Sequence, residues 1–331
     1  MAFYDGLFNA FGLREWCDAS AGSAKMTMAS LLAKTNPDAA DEGPLFPFPS
    51  MDELYKACPS FPQSREFTAG VEEAFLNAKD VLKTVLDPLT QPLSWLLEGA
   101  LFIFLAAPWW IVVPLILMFV WYVCRSVAVT TFVTVSFAFL AFIDHLDAAL
   151  QTLAIIAVCT GICIILGVPV GIAMAKSNRF QRSLLPLLDL LQTLPTFVYL
   201  IPLIFLFSVT EPKLYGIAII VYAIVPVIRL TDLGIRLVDQ DVVEAANAFG
   251  MSSRQKLFGI ELPLALPNIM AGVNQTIMMS LAMVVIASLV SAPGLGVLVL
   301  RGIRNLELGV GLIAGLGIVL LAVILDRVSN A

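Results

Sequence analysis

Residues 148–175 read AALQTLAIIAVCTGICIILGVPVGIAMA without one charged side chain, between Asp147 and Lys176. About 20 apolar residues in a helix cross the hydrocarbon core of a bilayer, so this stretch predicts a membrane span and sets the class of the whole fold. Outward from it, further charge-free windows fall at 109–124, 126–143, 190–210, 214–228, 262–300 and 308–325. The window 262–300 exceeds one span; Pro263 and Pro267 mark its start, and Pro293-Gly294-Leu295-Gly296 ends a helix near Val290. The expected fold is an all-α integral membrane protein with about seven transmembrane helices.

Composition agrees. Of 331 residues 59% are hydrophobic and 13% charged, with mean hydropathy +0.91, against roughly 45–50% apolar in a soluble domain. The acidic balance comes from one end. Residues 1–98 hold 7 Lys and Arg against 14 Asp and Glu, and the remainder 12 against 11, which excludes a nucleic-acid binder.

Residues 1–88 show no repeat and carry Pro-containing polar stretches such as TNPDAADEGPLFPFPS (35–50); they are expected as a loosely helical extracytoplasmic N-terminal tail. The opening MAFYDGLFNAFGLREW lacks the basic start and apolar run of a cleavable signal peptide, so the N-terminus is expected to be retained. Residues 89–107 are expected as an interfacial helix, and 108–331 as the transmembrane domain with a cytoplasmic loop at 232–263.

Basic loops stay in the cytoplasm. With the N-terminus outside, the inner loops hold Arg125, Lys176, Arg179, Arg182, Arg229, Arg236, Arg254, Lys256 and Arg327, and the outer ones only Lys213, Arg301 and Arg304. This asymmetry predicts N-out, C-in. Trp109, Trp110, Trp121 and Tyr122 sit at the ends of the first span, as interfacial anchors in lipid do.

The chemistry of an enzyme is missing. Five cysteines at 17, 58, 124, 159 and 163 make no CxxC pair, and His145 is the single histidine, so metal-ligand arithmetic fails; Cys159 and Cys163 share a helix face as small packed residues. An extracytoplasmic tail would permit a Cys17–Cys58 disulfide. No GxxxxGK[ST] pattern occurs, so no cofactor is expected and ATP would be bound by another polypeptide.

The loop between the fifth and sixth spans, LVDQDVVEAANAFGMSSRQKLFGIELPLALP (237–267), is unlike a plain connector. Asp241-x-x-Glu244 has capping-box spacing, Gly250 suits a left-handed helix end, and Ser252-x-x-Gln255 is a second capping box starting a helix that runs to about Ile260. Val242, Ala245, Ala246 and Phe249 share one helical face. Either it packs on its own bundle, or its small residues let a cytoplasmic partner approach closely.

Glu244-Ala245-Ala246, Gly250, Ile260, Leu262 and Pro263 stand in the spacing EAA-x3-G-x9-I-x-LP, which resembles the signature of the permeases of ATP-binding cassette (ABC) importers. The likeness extends over about residues 148–328, through LGVPVGIAMAKS (166–177), PLLDLLQTLPTFVYLIP (186–202), ELPLALPNIMAGVNQTIMMSLAMVVIASLV (261–290) and GLGVLVLRGI (294–303), and is similar to glycine betaine/proline importer permeases. Ser291-Ala292-Pro293 departs from the glycine or small residues such relatives often carry there. The resemblance implies a type I importer permease fold and a coupling role for Glu244, Ala245, Ala246, Gly250, Ile260, Leu262 and Pro263. It also implies as partners an ATPase, a substrate-binding protein and a second permease copy, with a betaine-like compatible solute as cargo.

Polar groups inside apolar stretches face another helix or a cavity. Asp189, Gln192, Asn274 and Gln275 are of this kind. Pro195 and Pro202 flank Thr196–Tyr199, where the span is expected to bend, and Phe197 or Tyr199 would offer an aromatic face to a quaternary ammonium. Gln192, Phe197, Tyr199, Asn274 and Gln275 are therefore the candidate path residues. Against these readings stand a permease for an amino acid or another small solute, and an ion-coupled secondary transporter with inverted repeats.

Overall fold

The computed structural model describes residues 2–18, 54, 58 and 64–330; the expectations for 19–53 lie outside the described residues. The chain divides into two units, Met1–Asp80 and Val81–Ala331, and the described residues contain helices and turns but no strand.

In the first unit, α1 (Ala2–Ala10) and α2 (Arg14–Asp18) precede the opening of α3 (Ser64–Ala106). Cys17 and Cys58 form a disulfide, buried with Phe8 against Tyr4 and Leu54.

The second unit starts within α3. The helix is continuous for 43 residues with Pro88 and Pro92 inside it, so the segment expected as a separate helix at 89–107 is the C-terminal part of a longer one. Proline deletes a helix hydrogen bond without forbidding a helix held by its neighbours. Here Leu93 and Leu97 are buried against Gly216, where a Cβ would stand 2.7 Å from Leu97 Cδ1.

Then follow α4 (Trp109–Cys124), α5 (Val127–Phe142), α6 (Leu146–Lys176) and α7 (Asn178–Thr193), a 3-10 turn at Thr196–Tyr199, α8 (Leu200–Leu206) and α9 (Pro212–Arg236). After α10 (Gln240–Ala248) and α11 (Ser253–Lys256) come α12 (Leu262–Ala287), α13 (Leu295–Arg304) and α14 (Leu308–Ser329). Among the described residues, five helices are long and apolar enough to cross a membrane: Phe67–Ala106 within α3, α6, α9, Ser253–Val290 and α14. The bent pair α7 and Thr196–Leu206 makes a sixth candidate, while α4 and α5 are apolar but only 16 residues each.

The span expected at 190–210 breaks where Pro195 stands, and its two halves meet at 100°. Pro202, by contrast, lies inside α8 without ending it. The long window 262–300 ends its helix at Val290 as expected; Leu295–Arg304, read from the sequence as part of an outer connection, is a further helix.

α9 is the most enclosed candidate span and packs chiefly on α12 and α6. Small residues make the approach close, as in membrane bundles generally. A Cβ on Gly171 of α6 would meet the Thr231 Cβ at 2.6 Å and the Ile228 carbonyl of α9 at 2.7 Å. Between α6 and α12 the buried Thr160 hydroxyl donates to Ser280 Oγ at 3.2 Å.

The turn after α12 docks on α6. Ser291 is left-handed, φ 70°, and the Ala292 amide closes on the Ala287 carbonyl at 3.2 Å. Gly294 follows at φ 121°, and the Leu295 amide donates to Thr152 Oγ1 at 3.0 Å. The departure noted at Ser291 thus falls where a side chain is strained and glycine is favoured.

Candidate functional site

The loop 237–263 folds as a helical hairpin. Its first helix, α10, starts two residues earlier than the spacing suggested: Asp239 is the N-cap, its side chain accepting from the Asp241 amide at 3.0 Å. Asp241 instead lies in the first turn, where a carboxylate meets the positive end of the helix dipole. The reading of Asp241 as the cap is corrected by this geometry, because Asp239 is the residue with extended backbone outside the helix.

At the other end Phe249 is the C-cap and Gly250 has φ 74°. The Gly250 amide reaches the Asn247 carbonyl at 3.0 Å and the Met251 amide the Ala246 carbonyl at 3.1 Å, the paired bonds of a Schellman turn. Ser252 and Gln255 form the expected capping box. Lys256 Nζ then ties back to Asn247 Oδ1 at 3.0 Å.

The second helix does not stop before Leu262-Pro263. α11 passes into a π turn at Leu257–Glu261, where the Leu262 amide donates to the Leu257 carbonyl, and runs on into α12. Pro263 has no amide to give, and the wider turn accommodates that loss at the join.

The four residues read as one face are divided. Ala246 is 2% exposed, turned into the hairpin, whereas Val242 and Ala245 are exposed and Phe249 is 88% exposed. α10 packs against α11 and the π turn that follows it, and Ala246 lies on the covered side. Glu244 and Pro263 are exposed, Ile260 and Leu262 half-buried. The outward stripe of Val242, Ala245 and Phe249 is the surface available to a partner.

Below the hairpin lies a charged cluster that the sequence reading did not single out. Glu261, at the end of the π turn, is 5% exposed and paired with Lys176, the last residue of α6. The buried Asp232 accepts from Arg236 Nε at 2.8 Å and from Gln181 Nε2 at 2.7 Å. Arg236 also donates to the Met174 carbonyl and to Asn178 Oδ1, both at 2.8 Å. The signal was present in the chain as charges at span ends, but only the fold says which pair.

Among the described residues the path candidates have different surroundings. Gln192 near the end of α7, Phe197 in the 3-10 turn and Gln275 on α12 are exposed, Phe197 at 58%. The backbone of Tyr199 closes the 3-10 turn; its side chain lies outside the described residues. Asn274 makes interhelical bonds, with Nδ2 donating to Asp326 Oδ1 at 3.2 Å and Oδ1 accepting from Ser329 Oγ at 2.7 Å. Asp189 pairs with Arg229. Among the described residues no group of His, Cys, Asp and Glu is placed to hold a metal.

Residues 167–331 match the family described as binding-protein-dependent transport system inner membrane component. The chain is 37% identical to the glycine betaine/proline betaine transport system permease protein ProW of Escherichia coli (strain K12), over 95% of this chain and 88% of that one. It is 42% identical to the glycine betaine transport system permease protein OpuAB of Bacillus subtilis (strain 168), over 69% of this chain and 76% of that one. To the glycine betaine/carnitine transport permease protein GbuB of Listeria monocytogenes it is 36% identical, over 78% and 89%. With likeness of this degree running through nearly its whole length, the chain belongs to the family of binding-protein-dependent ABC transport permeases, the inner-membrane components of such systems.

Proposed function

We propose that the solute carried inward by this permease is a small methylated ammonium compound: glycine betaine, proline betaine, choline, carnitine or a close relative. The observation that carries the proposal is the likeness, over 95% of this chain, to a permease named for glycine betaine and proline betaine. Family membership implies an ATPase and a substrate-binding protein as partners. In this reading ATP hydrolysis takes place on a separate cytoplasmic subunit, and the outward stripe of Val242, Ala245 and Phe249, with the Glu244–Gly250 turn, seats in a cleft of that subunit.

Two further parts of the proposal concern arrangement. The N-terminal tail lies outside and the C-terminus in the cytoplasm; the count of basic loop residues supports this, and so does the Cys17–Cys58 disulfide, since disulfides persist in oxidising compartments. Two copies of the permease face each other across the path. The exposure of Gln192 and Gln275 on a single chain favours that arrangement, as polar residues at membrane depth face protein or a water-filled cavity rather than lipid.

The test is uptake of radiolabelled glycine betaine into vesicles holding the permease, its ATPase and its binding protein. Import occurs only with ATP. Uptake driven by a sodium or proton gradient alone overturns the importer reading, and ATP-driven import of an amino acid with none of glycine betaine overturns the choice of solute.

A further inference from the structure

We propose that Glu261 and Lys176 form a positioning pair that carries movement of the coupling hairpin to α6, so that breaking it uncouples ATP hydrolysis from transport without detaching the ATPase; the proposal rests on the coupling role given above to the hairpin.

Three observations converge on the pair. Glu261 is 5% exposed, although it ends a surface loop, and its carboxylate is matched by Lys176 at the end of α6. A carboxylate so enclosed needs a partner, and Lys176 supplies it from a side chain that is itself partly exposed, so the pair fixes the place of Glu261 more than it adds stability. Second, among the described residues this is the one side-chain hydrogen bond between residues 237–261 and the rest of the bundle; the others, at Asp239, Asn247 and Ser252, stay within the loop. Third, the pair sits on the π turn Leu257–Glu261.

That turn is the soft joint of the loop. A π turn holds one residue more than an α turn, and relaxing it to α spacing would rotate the hairpin by one residue, about 100° around the helix axis. A push on α10 would then be absorbed as rotation. Anchoring Glu261 to Lys176 sets the register of the turn against α6, while Arg236 holds the same end of α6 through the Met174 carbonyl. Ala175 and Leu262 pack beneath the pair with the buried Ile235, Ala265 and Ile269. The hairpin, α6 and α12 thereby move as one body.

The experiment compares Glu261→Gln, Lys176→Met and the double variant, each in the complete complex with ATPase and binding protein, reading glycine betaine imported per ATP hydrolysed and the amount of ATPase that co-purifies. Each single variant retains the ATPase and lowers the ratio about tenfold, within the range of typical coupling energies. The double variant falls by the same factor rather than by the product, because either change removes the same link. Lys176→Arg, which keeps the charge, restores the ratio to within about twofold. Single variants with an unchanged ratio, or a double variant that loses the product of the two, overturn the proposal. Where a single variant does not assemble, the double variant, which leaves no unpaired buried charge, decides: assembled and coupled, it overturns the proposal as well. A wild-type chain that neither binds the ATPase nor imports with ATP overturns the coupling reading itself, which separates the two failures.

Discussion

The amide of Met251 closes on the carbonyl of Ala246 at 3.1 Å, so the turn that follows the hairpin's first helix is tied to the backbone of its one buried residue. Ala246 is nearly inaccessible, while Phe249, three residues on, stands almost fully exposed. Small side chains at the two neighbouring alanines therefore have different reasons, one internal and one external.

Gly250, with φ 74° and nothing within 4 Å of where a Cβ would stand, tolerates a side chain by volume but not by backbone. Gly250→Val is expected to strain the turn by about 1–2 kcal/mol and to lower transport and binding-protein-stimulated ATPase activity together, with the spans still inserted. Gly250→Asn, whose side chain suits a left-handed residue, retains most of both. Transport by the Val variant at the wild-type rate shows an ordinary connector.

The alanines separate by assay. Ala245→Trp leaves the hairpin folded and blocks the approach of the ATPase, so the ATPase no longer co-purifies while the thermal stability of the permease is unchanged. Ala246→Trp overpacks a closed site, at a cost of typically about 1–3 kcal/mol, and increases protease cleavage within 237–263 even in the permease alone. Equal behaviour of the two variants contradicts the division of this face.

Ser291 pays for its left-handed conformation. Ser291→Gly is expected to stabilise the permease by about 1 kcal/mol, seen as a raised melting temperature in detergent. Gly294→Ala has the opposite outcome, since its Cβ would lie 2.3 Å from Thr152 Oγ1 at φ 121°. If serine proves no worse than glycine at 291, the turn is not strained as described.

The tail provides a test of topology. In intact cells stripped of their outer barrier, a membrane-impermeant maleimide is expected to label Cys17 and Cys58 only after reduction, as both are disulfide-bonded and buried. Labelling only from the cytoplasmic side reverses the orientation.

Much of this protein was legible without its fold. Charge-free runs such as 148–175 declare membrane spans because an unpaired charge in hydrocarbon is costly, and the spacing from Glu244 to Pro263 is local, so Gly250 and the Ser252–Gln255 capping box could be read directly. Continuity was harder. Pro88 and Pro92 argue for a break, yet α3 runs through both because Leu93 and Leu97 pack on α9; Pro195 and Pro202 look alike in the chain, and only the first stands at a break. Helical periodicity placed Ala245 and Ala246 on one face, but it could not say which side the fold-back of α11 would cover. The partners of Lys176, Asp232 and Asn274 were likewise beyond it. A charge at a helix end advertises its need for a counter-charge, whereas the choice among residues tens of positions away is made only when α6, α7, α9, α12 and α14 pack and bring particular side chains within hydrogen-bonding reach.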